Sequence, residues 1–305
     1  MEIFCSTIIP TVNRSTLAHA VRSVLDQDFC RADFEVIVVN DSGQPLPDAD
    51  WQHSERVRVI TTDHRERSVA RNTGAAIARG RYLHFLDDDD LVLPGAFEAF
   101  WRLDQETDAT WLYGSYQTVD NNGDLVEQIH PETNGNNFAL VIAGEAIPFQ
   151  VSLLQAKQFF AVGLFDPNPE IIGVEDRDLG RRMALRGTVA HTPTVVARIR
   201  IGQQGSTTNW LTLAESDRLG RERALSAPNV FARLQTSANT CSWHGQIRRA
   251  YWHGRVTRAY IASMLWNLQK KNLFIAASRA TASLAFARWH ILSLDFWRGL
   301  RTKIG

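Results

Sequence analysis

The chain has 305 residues, 44% hydrophobic and 22% charged, with 33 Lys/Arg offset by 33 Asp/Glu. That balance excludes a disordered or fibrous chain and leaves room for one large soluble domain or two smaller ones. Three cysteines (Cys5, Cys30, Cys241) without close pair spacing suggest neither a disulfide framework nor a zinc site, which points to a reducing cytoplasm.

The N-terminus opens with a strand-length apolar stretch, Ile3 to Pro10, with no basic segment ahead of it, so no signal peptide is expected. Within that stretch, residues 4–9 read as a strand. Residues 15–27 follow as a helix with Leu17, Val21, Val24 and Leu25 at helical spacing, and Phe34 to Val39 as a second buried strand. Val57 to Thr61 supplies another strand, Ser68 to Arg79 a helix closed by Gly80, and Tyr82 to Leu86 a strand that runs into Asp87-Asp88-Asp89-Asp90. Alternation of this kind predicts an α/β fold around a parallel sheet covered on both faces. In such sheets ligands gather at the carboxyl ends of the strands, where Pro10-Thr11, Asn40-Asp41 and the aspartate run all fall.

A helix is expected over Pro94 to Leu103. Isolated strand-like pieces follow (Thr110 to Thr118, Leu125 to Ile129, Gln150 to Leu154), then a helix at Glu175 to Arg186 and a strand at Thr194 to Ile201. From Leu211 the pattern is almost wholly helical, interrupted by Pro228 and Gly254. These last residues differ in charge from the rest: residues 243–305 hold 11 Lys/Arg against one acid, Asp295, and five of the nine Trp. Aromatic plus cationic is the composition of a membrane-interface surface. A helical pair packed on the preceding domain, with Trp as core, explains the same pattern. Lys270, Lys271, Arg279 and Arg288 interrupt the apolar stretches, so no transmembrane span is expected.

Four carboxylates behind a buried strand repel one another and call for a cation. A hard divalent ion shared with a nucleotide diphosphate satisfies that need, because such ions take one or two carboxylates and complete their shell with phosphate and water. A solvated acidic turn capping the helix at Pro94 would also account for the run.

Taken in order, residues 9–14 (Ile9-Pro10-Thr11-Val12-Asn13-Arg14), 39–43 (Val39-Asn40-Asp41-Ser42-Gly43), 70–74 (Ala70-Arg71-Asn72-Thr73-Gly74), the run Asp87 to Asp90 and Gly173-Val174-Glu175-Asp176 resemble the family-2 glycosyltransferases of the GT-A fold. The resemblance covers roughly residues 1–210 and implies a mixed, Rossmann-like sheet flanked by helices. Residues 1–105 would form a nucleotide-sugar half and 106–210 an acceptor half, with 211–305 as a helical C-terminal extension. It further implies an inverting transferase that moves a sugar from a nucleoside-diphosphate sugar, UDP-linked above all, to a hydroxyl of a saccharide or lipid-linked acceptor in cell-surface glycan synthesis.

By that resemblance Pro10, Thr11 and Asp41 hold the nucleoside, Asn13 and Arg14 belong to the same donor-binding set, Arg71 and Asn72 sit near the nucleotide, and Asp87 with Asp89 forms the D-x-D pair. Asp89 would contact Mn²⁺ or Mg²⁺, Asp88 would touch the ribose or support the metal, and Asp176 would deprotonate the acceptor. Simpler readings stand beside these: an Asx-turn at Asp41 with Ser42-Gly43, a surface Arg71, and an acidic first helical turn at Asp176 with Asp178 and Arg182 paired. Relatives often carry a His in an Arg-x-His pattern where this chain has Arg198-Ile199-Arg200, so Arg200 would pair with the diphosphate or leave the ion fewer protein ligands. The loop Gln203 to Thr208 could serve as a lid. Two other functions remain open at this point. One is a sugar-phosphate nucleotidyltransferase, disfavoured because residues 10–14 lack Gly; the other is a non-catalytic module that binds membrane or nucleic acid through its basic tail. For the transferase, the expectation is a cytoplasmic protein, peripheral on the inner face of the membrane, with no nucleic-acid partner.

Overall fold

A computed structural model describes residues 2–63, 66–202, 210–240 and 249–302. The loop from Gln203 to Thr208, Cys241 and Trp243 lie outside the described residues. The first half of the fold alternates strand and helix: β1 (Ile3–Thr11), α1 (Leu17–Leu25), β2 (Asp33–Asn40), β3 (Val57–Thr61), α2 (Arg67–Ile77) and β4 (Tyr82–Phe85). A two-residue strand β5 (Leu91–Val92) leads to α3 (Ala96–Glu106), β6 (Trp111–Val119), β7 (Leu125–Ile129) and α4 (Phe138–Ile142). After these come β8 (Ser152–Gln155), α5 (Ala156–Ala161), α6 (Glu175–Arg186) and β9 (Val189–Arg200). The remainder is helical: α7 (Trp210–Leu225), α8 (Val230–Thr240), α9 (Arg249–Gln269), α10 (Leu273–Ala287) and α11 (Leu294–Arg301).

The strands form one mixed sheet in the order β3-β2-β1-β4-β8-β6-β9-β5, with β7 on β6. Strands β1 to β4 are parallel, and the register pairs Thr11 with Asn40 and Ile8 with Phe85. Parallel register brings the ends of β1, β2 and β4 to one rim, which is how residues 11, 41 and 87 become neighbours. Beyond β4 the sheet is mixed: β8 runs antiparallel to β4, Leu83 facing Leu154, and antiparallel to β6, while β9 runs parallel to β6, so the parallel sheet expected from the alternation forms the first half of the mixed sheet that the resemblance implies. The inner strands of that half, β1, β2 and β4, are buried on both sides, with Ile8, Ile9, Val36 to Val39 and Leu83 in the core, because helices cover both faces.

Four local expectations need correction. Helix α3 begins at Ala96 behind Gly95, whose φ of 79° is the left-handed conformation glycine tolerates, so the aspartate run does not cap that helix. Strand β9 starts at Val189, five residues ahead of the expected Thr194. The short elements β5, α4 and α5 carry too few residues to show a period, and their apolar runs blend into loops. Gly254 lies inside an unbroken α9 and is there for packing: a Cβ on it would sit 2.2 Å from the Phe296 carbonyl oxygen, and one on Gly299 would sit 2.1 Å from that of Tyr251. Helices α9 and α11 therefore cross backbone to backbone.

A second apolar cluster joins the tail to the sheet domain. Trp252, Val256, Ala259, Tyr260 and Phe286 pack with Phe138 to Ala143 and Ala184. Arg255 reinforces the joint through the Ala143 carbonyl and an ion pair with Glu145 at 2.9 Å. In the tail, Trp252 is thus core, whereas Trp289 and Trp297 are exposed.

Candidate active site

Thr11, at the end of β1, donates its hydroxyl to Asp88 Oδ2 at 2.5 Å and accepts the Asn13 N–H at 2.9 Å. Asn13 turns the chain there at a φ of 68°. The turn brings Arg14 across the rim, where Nη1 donates to Asp88 Oδ1 at 2.7 Å and lies 3.4 Å from Asp89 Oδ2. Pro10 pairs with Val39 in the sheet and sets the strand end from which these residues project.

Asp41 lies at the same rim, but its carboxylate is already engaged, accepting from Thr62 Oγ1 at 2.7 Å and from the Glu66 N–H at 3.1 Å. It thereby fixes the entry to α2. The Asx-turn belongs to the preceding residue: Asn40 Oδ1 accepts from both the backbone and the hydroxyl of Ser42.

Arg71 is buried, which removes the surface-arginine reading. Its Nη2 donates to Asp87 Oδ1 at 2.7 Å, its Nη1 to Glu175 Oε1 at 3.3 Å, and its guanidinium stands 5.3 Å from the centre of the Phe165 ring. One side chain thus bridges the end of β4 and the start of α6. Arg67, one helical turn before it, is 3.5 Å from the same Glu175 oxygen, and Glu175 Oε2 accepts the Gly173 N–H at 2.7 Å. Asn72 is committed to the backbone of Phe165, donating to its carbonyl at 2.8 Å and accepting its N–H at 3.0 Å. It thereby holds the loop that carries the ring over Arg71.

The four aspartates thus divide into distinct roles. Asp87 is held by Arg71 and by Gln150 Nε2 at 2.8 Å; burial works against its ionised form, but these partners overcome it and keep the carboxyl below the ordinary range. Asp88 is tied to Thr11 and Arg14. Asp90 is buried and receives the Arg200 N–H at 2.8 Å, locking β9 to the rim; burial and the neighbouring Asp87 push its carboxyl well above the ordinary range. Asp89 is the least satisfied. Burial raises its carboxyl, and repulsion from Asp87 and Asp88 outlasts the help of Arg14.

That donor set suits a divalent ion arriving with a diphosphate. Among the described residues no group of three or more His, Cys, Asp or Glu side chains converges as an all-protein cage. Asp89 is nevertheless a crowded carboxylate whose nearest cation, Arg14, is itself 46% exposed and displaceable. Arg200 does not reach the acids with its guanidinium: Nη1 donates to the carbonyls of Asp120 and Asn121 in the β6–β7 turn, at 3.0 and 2.8 Å.

Asp176 opens α6 and lines a cavity of about 210 Å³ together with Arg67, Arg71, Asp87, Gln150 and Glu175. Among the described residues its side chain accepts only the adjacent Arg177 N–H, at 2.7 Å. Although solvent reaches it, desolvation by the cleft walls and repulsion from Glu175 raise its carboxyl above the ordinary range, the direction that suits a base near neutral pH. The expected Asp178–Arg182 pair forms at 2.8 Å, so within one helical turn Glu175 is structural, Asp178 is paired, and Asp176 faces the cleft.

Sequence pattern does not single out Gln150 or Arg67. Gln150 sits in the least patterned part of the chain, where no signal marks it. Arg67 stands four residues before Arg71 and hence on the same helix face, a spacing that could have found it.

His84 lies beneath the rim on β4, its ring nitrogens 3.2 Å from Thr7 Oγ1 and 3.0 Å from the Gln150 carbonyl oxygen. Burial lowers its pKa to about 4, although the Gln150 contact works the other way. The folded chain therefore binds this proton less readily than the unfolded one, and the His84 contribution is whole above pH 6.5 and is lost as pH falls towards 4. Urea titrations between about pH 4.5 and 7 should show His84→Gln shallower than wild type by about 1.4 kcal/mol per pH unit. Parallel profiles would refute the assignment. Depressed carboxylates such as Asp87 act at lower pH, and the raised ones (Asp89, Asp90, Asp176) act with the opposite sign in both proteins, so they cancel in the comparison.

Residues 6–154 match the family model described as glycosyl transferase family 2. An uncharacterized glycosyltransferase of Rickettsia felis is 27% identical over 202 residues, covering 64% of this chain and 33% of that protein. Poly(ribitol-phosphate) beta-N-acetylglucosaminyltransferase TarP of Staphylococcus aureus is 31% identical over 117 residues, 36% of each chain. The chain thus spans about a third of the length of these curated relatives. Among solved structures, residues 1–349 of S. aureus TarS in complex with UDP-GlcNAc superimpose with a TM-score of 0.64 at 14% identity, over 93% of this chain and 91% of that one. That likeness carries the GT-A fold; Asp176 lies outside the segment matched by the family model.

Proposed function

Given that the chain belongs to glycosyl transferase family 2, we propose that it is a metal-dependent inverting glycosyltransferase that moves a sugar from a UDP-sugar to a hydroxyl of a cell-surface saccharide or its lipid-linked precursor. The observation that carries this reading is the Arg71 bridge, which brings the donor-side Asp87 and the Glu175-Asp176 pair, far apart in sequence, to one cavity.

Thr11, Arg14 and Asp88 form a preset edge for the nucleoside, and Asp41 supports it by fixing the start of α2. Mn²⁺ or Mg²⁺, bound through Asp89 and the donor phosphates, would offset charge on the departing diphosphate. Opposite it, Asp176 takes the proton from the acceptor hydroxyl as that oxygen bonds to the anomeric carbon. The bond from this carbon to the phosphate oxygen breaks, the electron pair leaves with UDP, and the single displacement inverts the configuration. TarP, named as a poly(ribitol-phosphate) beta-N-acetylglucosaminyltransferase, supports a polymeric acceptor, and TarS, crystallised with UDP-GlcNAc, supports a UDP-linked donor.

The test is thermal stability with UDP, GDP, CDP and dTDP, each with and without Mn²⁺ or Mg²⁺. A nucleotide at about 100 times its Kd should stabilise by about 2.7 kcal/mol. The expected result is metal-dependent stabilisation by UDP that Asp89→Ala abolishes. Stabilisation by none of the four would overturn the donor-binding reading and favour a non-catalytic module.

A further inference from the structure

Helix α10 exposes a side without a charge. Leu273, Phe274, Ala277, Ser278, Thr281 and Leu284 all face solvent, and Phe274 is 88% exposed. A helix on an aqueous surface normally turns its charges outward and its apolar stripe inward. Here the arrangement is reversed. The only ionisable side chain of α10, Arg279, is buried, donating to Ser263 Oγ, the Leu225 carbonyl and Ser226 Oγ at 3.1, 2.8 and 2.8 Å.

Past the helix end the chain exposes further apolar side chains, Trp289, Leu292, Leu294 and Trp297, with Leu292 87% exposed. Cations flank this stretch along the chain. Lys270 and Lys271 precede α10, Arg288 follows it, and Arg298 and Arg301 lie on α11; all five are exposed. The 15 residues of α10 set the two basic ends about 22 Å apart at about 1.5 Å per residue. The one acid of this region, Asp295, is paired with Arg298 at 3.2 Å.

From this arrangement we infer that the α10 face, with the Trp289–Trp297 segment, docks flat on an anionic lipid bilayer. An apolar helix face with aromatic residues beside it and basic residues at its ends matches the region where headgroups meet acyl chains, about 5–10 Å deep. Each Lys or Arg near an anionic surface strengthens partitioning about fivefold. A second copy of the chain fits less well: both ends of the face are positive, so self-association would set cation against cation with no acid to answer them. Among the described residues no helix is long and apolar enough to cross a membrane, so this contact lies on the surface. The inference goes beyond the transferase reading and does not depend on it.

Deleting residues 243–305 would be a poor test, because Trp252, Tyr260 and Phe286 belong to the core shared with α4. Surface substitutions are better. The full chain should co-sediment with phosphatidylglycerol-containing vesicles and at least about tenfold less with phosphatidylcholine alone, and binding should weaken in about 0.5 M salt. The triple variant Phe274→Asp, Leu284→Asp, Leu292→Asp should lose at least about tenfold in vesicle binding while keeping the wild-type melting temperature. Brominated lipid should quench wild-type fluorescence more than that of the Trp289→Phe, Trp297→Phe variant. Equal binding to neutral vesicles, or undiminished binding by the triple variant, would overturn the inference. A concentration-dependent dimer that the triple variant abolishes, with no vesicle binding by wild type, would overturn it in favour of a second copy.

Discussion

Asp176→Asn should bind a UDP-sugar as wild type does and transfer its sugar about 10²–10⁴-fold more slowly, the loss typical of removing a general base. The substitution keeps shape and hydrogen-bonding oxygen, so the contact to the Arg177 N–H survives. What disappears is the carboxylate proposed to take the acceptor proton. In wild type the acid limb of kcat/KM should sit above the ordinary carboxylate range, because cleft desolvation and Glu175 raise this carboxyl, and the limb should vanish in the variant. Single-turnover transfer across about pH 4–8, with donor Kd measured separately, reads both effects. Full transfer by Asp176→Asn would place the base elsewhere. Glu175→Gln is the informative control: Glu175 is buried against Gly173 N, Arg67 and Arg71, so its loss should lower stability, and because its charge helps raise the Asp176 carboxyl the acid limb should move to lower pH without vanishing.

The aspartate run and the first βαβ units were legible because each rests on local pattern: apolar strands at even spacing, turn residues at their ends, four like charges in a row. The division of labour within the run was not. Nothing local distinguishes Asp87, held by Arg71 and by Gln150 from 63 residues away, from Asp90, held by the Arg200 N–H from 110 residues away. Asn72 shows the same limit from the other side: its type and position suggest a ligand contact, and its geometry is a backbone clamp on Phe165. Arg200, expected near the phosphates, turns to the carbonyls of Asp120 and Asn121 because the β6–β7 hairpin ends beside it. Composition reads the tail as either membrane surface or core, and the two descriptions fall on different residues: Trp252 packs inside, while Trp289 and Trp297 remain exposed. Composition can count tryptophans, but only packing can sort them.

Arg71→Met should cost about 3–5 kcal/mol of folding stability, the range for breaking a buried ion pair from one side. Methionine fills much of the volume but leaves Glu175, 3% exposed, beside only the more distant Arg67, and leaves Asp87 with the Gln150 hydrogen bond and the field of Arg67. Most of the loss comes from this stranded charge. The double variant Arg71→Met, Glu175→Gln should therefore recover part of it, since a neutral amide can remain buried at far lower cost. Arg71→Lys should not rescue fully, because one ammonium cannot span two carboxylates as the planar guanidinium does. Urea midpoints for the three variants provide the measurement, and a loss below about 1 kcal/mol for Arg71→Met would reduce the bridge to an ordinary surface pair. Because the same bridge joins β4 to α6, the predicted order is that Arg71→Met lowers donor affinity and transfer together, whereas Asp176→Asn lowers transfer alone. Tethering Asp87 and Glu175, the neighbour of the proposed base, through one guanidinium makes site geometry and fold stability inseparable at this position, and the double variant separates them: recovered stability without recovered transfer would show that the arginine's position, and not merely its charge balance, is what the reaction needs.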